Sequence, residues 1–164
     1  MALEVERKFK IKPGVQVPDS ESVQSIRQAY LMSDGDTSIR VRIINNEEAY
    51  ITIKKSSDMR LSVRHEYEYP LPLEDAIEMM QICQYTPVVK QRFVVMNGEV
   101  KWEVDIFQEE NEGLIIAEVE LPNIYQQIEL PVWIGEEVTE DPRFLNSYLA
   151  IHPYRTWSEE EKNR

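Results

Sequence analysis

The feature of this sequence that most restricts its fold is a period-two alternation that places charged residues, mostly in like-signed pairs, on one side of nearly every extended segment. Residues two apart in a strand share a face. Glu4, Glu6 and Lys8 therefore oppose Leu3, Val5 and Phe9, and Arg40 and Arg42 oppose Ile39, Val41 and Ile43. Thr52 and Lys54 oppose Ile51 and Ile53; Arg64, Glu66 and Glu68 oppose Val63, His65, Tyr67 and Tyr69. Lys90 and Arg92 face away from Val89 and Phe93, Lys101, Glu103 and Asp105 from Trp102, Val104 and Ile106, and Glu118 and Glu120 from Ala117, Val119 and Leu121. For any one strand, a solvated face of a half-buried sheet is the simpler reading. Charge at two chosen positions arises only about 6% of the time in an ordinary protein, so its recurrence along the chain needs another cause.

The alternation predicts strands over residues 2–10, 23–32, 37–45, 49–55, 60–69, 88–96, 99–107 and 113–121. Turn chemistry joins them at Ser33-Asp34-Gly35-Asp36, Asn45-Asn46-Glu47 and Asn97-Gly98. A helical period predicts a helix from Pro72 to Gln84, with Leu73, Ile77, Met80 and Cys83 on one stripe, and a second from an Asp141 N-cap and Pro142 through Phe144, Leu145, Tyr148 and Leu149. The expected class is α+β, mainly β: an eight-stranded antiparallel closed β-barrel whose lumen holds the charges, with helices packed outside. One domain spans residues 1–154, and residues 155–164 form a charged C-terminal tail.

Tyr67, Tyr69, Met79 and Met80 are expected in the core, and Glu109-Glu110-Asn111-Glu112 at a solvated hairpin tip. The single Cys83 allows no internal disulfide, reads as a small core filler and suits a reducing cytoplasm. His65 and His152 propose no chemistry. Neither a secretory leader nor a membrane span is expected, because Met1–Lys8 alternates charged and apolar residues and no run approaches the roughly 20 apolar residues that a span needs. A formal charge of −12 repels nucleic acid and anionic membranes, so a phosphate ligand must meet a local basic site.

Lining a lumen with ions costs several kcal/mol per unpaired ion unless opposite charges, water or a ligand complete it. Lys8, Arg40, Arg42, Lys54, Lys90 and Arg92 are more cations than one phosphate needs and suit a chain of phosphates. The carboxylates of Glu4, Glu6, Asp105, Glu118 and Glu120 would repel that chain unless a divalent metal lay between; they are hard ligands of the kind that hold Mg²⁺ or Mn²⁺.

Glu4-Val5-Glu6-Arg7-Lys8 resembles the ExExK signature of the CYTH superfamily, the triphosphate tunnel metalloenzymes. Arg40/Arg42, Lys54, Glu66/Glu68, Lys90/Arg92, Asp105 and Glu118/Glu120 are similar, in order, to its other tunnel positions, and Val138–Ala150 to its C-terminal end. The likeness covers residues 1–154. The fuller motif often begins with His two residues before the first Glu, where Ala2 stands.

The resemblance implies that Lys8, Arg40, Arg42, Lys54, Lys90 and Arg92 bind triphosphate, that Glu4, Glu6, Asp105, Glu118 and Glu120 serve the metal, and that Glu66 and Glu68 orient the basic groups. Lys8, Glu6 and Tyr30 are the expected catalytic residues, Tyr30 pairing with Lys8 to orient water. Metal-dependent hydrolysis of inorganic triphosphate is the expected activity. The expected partner is a small triphosphate compound, with nucleic acid and membrane excluded and a homodimer admitted. A thiamine triphosphatase, a class IV adenylate cyclase and a non-catalytic polyphosphate-binding module remain alternatives.

Overall fold

The computed structural model describes residues 3–57 and 60–164, so Ala2, the first residue of the first expected strand, lies outside the described residues. In chain order the elements are β1 (Leu3–Ile11), β2 (Ser22–Asp34), β3 (Thr37–Ile44), β4 (Glu48–Ser57), β5 (Arg60–Leu71), α1 (Leu73–Ile82), β6 (Val88–Asn97), β7 (Val100–Gln108), β8 (Ile115–Leu121), β9 (Ile134–Glu137), α2 (Asn146–Ile151) and α3 (Glu159–Asn163). The order β5-β4-β3-β2-β6-β7-β8-β1 closes on itself because the start of β1 pairs with β5, Glu4 opposite Arg64. All these pairings are antiparallel, giving the expected closed eight-stranded barrel. Further along β1, β9 takes the edge that β5 has left, with Phe9 opposite Glu137 and Ile11 opposite Ile134. Four residues are too few for alternation to reveal such a strand.

Register brings the charged faces together. Lys8 lies opposite Glu118, Lys54 opposite Glu66 and Arg92 opposite Asp105. The reversals use the expected residues: Asn45 and Asn46 take φ of 54° and 56°, the left-handed pair that a tight hairpin between β3 and β4 needs.

Outside the barrel, α1 buries Ala76 with Leu73, Met79 and Met80 against Val41, Ile43 and Ala49. Ile77, placed on the buried stripe by its period, is instead 46% exposed. The inward face is centred on the smallest side chain, which lets the helix approach the strands; hydrophobicity alone does not mark that position. Over β1, β7 and β8, Trp133 and Ile134 cover Phe9, Trp102, Val104 and Val119, assisted by Val15, Val17 and Ile128. Trp102 makes edge-to-face contacts with Phe9 and Trp133, ring centroids 5.6 and 5.7 Å away. Tyr67 and Tyr69, expected in the core, are 46% and 57% exposed on the outer face of β5.

One end of the barrel carries a further apolar cluster. Val88, Phe107 and Ile116, in phase with the lumen charges, pack with Phe144, Leu149, Ala150 and Trp157. The helix expected from Asp141 is split. Asp141 accepts a hydrogen bond from the Arg143 N–H at 3.1 Å and Pro142 follows as expected, but Pro142–Phe144 is a single 3₁₀ turn. Leu145 is then extended, with ψ 136°, before α2 begins. The break turns α2 across the barrel end while α1 stays outside.

Residues beyond 154 are not set apart from this packing. Trp157 is buried in the same cluster, Ser158 and Glu161 form a capping box on α3, and Arg143 donates to the Glu161 carbonyl at 2.7 Å. Asn111, expected at a solvated tip, is fully buried and accepts from the Tyr154 N–H at 2.8 Å. No helix among the described residues is long and apolar enough to cross a membrane.

Candidate active site

The lumen is a polar cavity of about 160 Å³. Of the residues expected there, Glu4, Glu6, Lys8, Tyr30, Arg40, Arg42, Lys54, Glu66, Glu68, Lys90, Arg92, Glu118 and Glu120 line it. These side chains come from seven of the eight barrel strands, every one but β7, each contributing through the face that alternation assigns to it.

Asp105 stands apart. It was expected among the metal ligands, yet it is wholly buried and lies behind the cavity wall, accepting from Lys90 Nζ at 2.7 Å and from Arg92 Nε at 2.8 Å. Burial works against its charge, but Arg92 and then Lys90 hold the carboxyl below its ordinary value. Asp105 thus fixes two cations and has no oxygen turned to the lumen. Strand phase gave its face; only packing decides what takes the carboxylate.

The remaining ions divide into compensated and uncompensated groups. Lys54 Nζ lies 3.1 Å from both Glu4 and Glu66, and Arg64 Nη2 lies 3.4 and 3.1 Å from Glu4 and Glu6. Lys8 Nζ sits between Glu6 at 3.7 Å and Glu118 at 3.6 Å. Against the effect of burial, Lys8 and Arg92 lead the cations that hold Glu118 well below the usual carboxylate range. Thr52 Oγ1 donates to Glu68 at 2.8 Å, and Glu68 is 4.0 Å from Arg40.

Two places keep an excess of one sign. Burial, then Arg40 and Arg92, push the Arg42 guanidinium down to about 9, and the buried Nε of Arg40 has no hydrogen-bond partner among the described residues. A buried donor left without a partner costs about 1–3 kcal/mol, more when charged. At the other place, Glu120 lies directly opposite Glu6 across β1 and β8. Burial, then Glu4, Glu66, Glu6 and Glu103, raise its carboxyl above the ordinary value. Like charges in a directly opposed pair are destabilising, and a cation between them removes the penalty.

Among the described residues no three His, Cys, Asp or Glu side chains are already arranged as a metal cluster. The cause is visible: Arg64 and Lys54 engage Glu4 and Glu6, and Lys8 and Arg92 engage Glu118. The donor chemistry still fits a hard divalent ion, because Glu4, Glu6 and Glu120 are carboxylates held near one another and Glu120 makes no ion pair among the described residues.

Tyr30 lines the cavity, but its hydroxyl accepts from Gln28 Nε2 at 3.2 Å rather than meeting Lys8 as expected. The structure also adds lining residues that were not singled out: Arg64, Glu103, Ser38, Asn146 and Ser147. Arg64 shares its strand face with Glu66 and Glu68, and Glu103 shares one with Asp105, so phase alone could have found both. Nothing local to Asn146 and Ser147 signals their place, which depends on α2 crossing the barrel end.

A family model described as the CYTH domain matches residues 2–147. A protein of Acetivibrio thermocellus named inorganic triphosphatase is 41% identical over 160 residues, covering 97% of this chain and 100% of that protein. An inorganic triphosphatase of Nitrosomonas europaea is 31% identical over 154 residues, covering 90% and 97% of the two chains. The crystal structure of the inorganic triphosphatase NE1496 superposes with a TM-score of 0.65 at 29% identity, covering 90% of this chain and 97% of that one.

Proposed function

This chain belongs to the CYTH domain family, and from that premise we propose that its tunnel hydrolyses inorganic triphosphate with the help of Mg²⁺ or Mn²⁺. The observation that carries the reading is the charge left over in one enclosed cavity. The Nε of Arg40, without a hydrogen-bond partner among the described residues, and the repelled guanidinium of Arg42 call for an anion, while mutually repelling carboxylates around Glu120 call for a cation. A chain of phosphates carrying a divalent ion supplies both at once.

Lys8, Arg40, Arg42, Lys54, Lys90 and Arg92 grip the phosphate oxygens, the arginines by paired N–H groups and the lysines as point charges. Asp105 holds Lys90 and Arg92 in place, as Glu66 and Glu68 do for Lys54 and Arg40. Glu4, Glu6, Glu118 and Glu120 would hold the metal, which when bound withdraws charge from the phosphate oxygens and makes the terminal phosphorus more electrophilic. In the reaction a water oxygen bonds to that phosphorus as the bridging P–O bond breaks, giving orthophosphate and pyrophosphate. The cations offset the charge gathering on the leaving oxygen. Glu6 accepts the proton of the attacking water, with Lys8 beside it at 3.7 Å. Tyr30 closes the wall nearby.

The cavity also bears on the choice of triphosphate. At about 160 Å³ it is smaller than the several hundred Å³ of ordinary organic-ligand pockets, and among the described residues that line it Tyr30 is the sole aromatic. A nucleobase or thiamine ring finds little to stack on, whereas a bare inorganic chain needs only the ions. We place the reaction in the cytoplasm, with no nucleic-acid partner, and admit a homodimer.

A phosphate-release assay with inorganic triphosphate, ATP and thiamine triphosphate, with Mg²⁺, with Mn²⁺ and with EDTA, tests this. Metal-dependent release chiefly from inorganic triphosphate is expected. Turnover confined to a nucleotide, with pyrophosphate as product, would instead identify a cyclase, and binding without turnover a polyphosphate-binding module. Glu120→Gln and Glu6→Gln should each abolish metal-dependent release, circular dichroism remaining that of the parent. Parental rates in either variant would remove the metal assignment.

A further inference from the structure

Two of the lumen cations are tied to a residue that belongs to no barrel strand. Asn146, at the start of α2, accepts through its Oδ1 from Lys90 Nζ at 2.9 Å and from Gln28 Nε2 at 3.1 Å. Gln28 in turn accepts through Oε1 from Arg42 Nε at 2.9 Å. Gln28 is wholly buried, Lys90 nearly so, and Asn146 is buried where it meets the cavity.

Because Lys and Arg can only donate, the polarity of this chain is set from both ends. Arg42 forces the oxygen of Gln28 toward β3, which leaves the Gln28 amide nitrogen to donate. Lys90 independently forces the oxygen of Asn146 toward β6. Both lone-pair directions of that single oxygen are then used. Reversing either amide would set donor against donor in a buried place.

The strand order shows why an outside residue is needed. β2 lies between β3 and β6, and Gln28 stands opposite Arg42 in register, but Lys90 stands opposite Ile26, which offers no acceptor. Asn146 fills that gap from α2. Lys90, bonded to Asp105 and Asn146, has one N–H left, and the terminal nitrogens of Arg42 make no hydrogen bond among the described residues. Both side chains line the cavity, so the unused donors are the ones available to a ligand. An amide also orients a cation without cancelling its charge, as a carboxylate at the same place would.

We propose that Asn146 is a positioning residue for inorganic triphosphate: it sets Lys90 directly and Arg42 by way of Gln28, so seating α2 in the barrel end completes the phosphate grip. This rests on the triphosphatase reading above and names a residue through which the C-terminal segment serves that site. Asn146 acts through the two cations, so its loss moves the same quantities that they control.

The test is a double-mutant cycle read in two ways: the calorimetric Kd for inorganic triphosphate in EDTA, and KM and kcat for its hydrolysis with Mg²⁺. Asn146→Ala is expected to raise Kd and KM roughly tenfold or more, the scale of a lost charge-assisted bond, with a smaller effect on kcat. Combined with Arg42→Ala, it should weaken binding by clearly less than the product of the single factors, because the second change removes what the first had loosened. Combined with Lys54→Ala, whose partners are Glu4 and Glu66, the factors should multiply.

Should Asn146→Ala fail to fold, Gln28→Leu severs the same chain from the barrel wall and should likewise be non-additive with Arg42→Ala. Full additivity with Arg42→Ala, or wild-type affinity and KM in a folded variant, overturns the inference while leaving the triphosphatase reading intact. Wild-type protein that neither binds nor hydrolyses triphosphate overturns both.

Discussion

At the scale of single residues, Lys90 is the group whose chemistry is most altered by its place. Burial, with Arg92 and Arg42 adding to it and Asp105 and Glu118 opposing, pushes its ammonium down to about 7. Triphosphate binds the charged form, so affinity should fall as pH rises through about 7, by at most tenfold per unit for one proton. For stability the sign is opposite. The unfolded chain keeps this lysine charged up to its ordinary range, so the penalty for burying it is full below about 7 and relieved as pH climbs toward that range. Lys90→Arg stays charged throughout and should flatten the alkaline fall in binding, measured as Kd against pH beside the parent. Which strand residues face the lumen was legible from alternation. The partner each one takes was not, as Asp105 and Tyr30 show: a side chain's phase fixes its direction, but its neighbours come from strands distant in sequence.

Among the elements, the strands were legible because a half-buried strand must alternate, and observed boundaries lie within a few residues of the expected ones. Helical faces were harder. In α1 the buried centre is Ala76, so Ala76→Phe should cost about 1–3 kcal/mol by overpacking against Val41, Ile43 and Ala49. Ile77→Ser should stay within about 0.5 kcal/mol. Urea unfolding of both variants separates the observed face from the one that hydrophobicity alone suggests. For β9 the critical residue is Gly135, where a Cβ would come within 3.1 Å of Lys10 O, Ile11 C and Lys12 N. Backbone cannot yield as a side-chain tip can, so Gly135→Val should push β9 off β1 and expose Trp133, seen as a red-shifted and more quenchable tryptophan emission.

For the molecule as a whole, charge organisation governs behaviour. A chain of net charge −12 encloses a lumen with an excess of positive charge around Arg40 and Arg42 and an excess of negative charge around Glu120. Each ion bound there removes a repulsion that the other would meet. Triphosphate and Mg²⁺ together should therefore raise Tm by more than the sum of their separate shifts, measured by thermal unfolding. In Glu120→Gln that surplus should disappear without loss of unliganded Tm, since the parent carboxyl is repelled by its neighbours.

The sequence by itself determined the eight barrel strands and the face on which each of their charges sits, because both follow from the local period of the backbone. Tertiary structure alone decided that β1 meets β5 and closes the barrel, that α2 crosses one end and brings Asn146 to Lys90, and which ions are left without partners. Those outcomes depend on register and contact between segments far apart in the chain, and no local pattern carries that information.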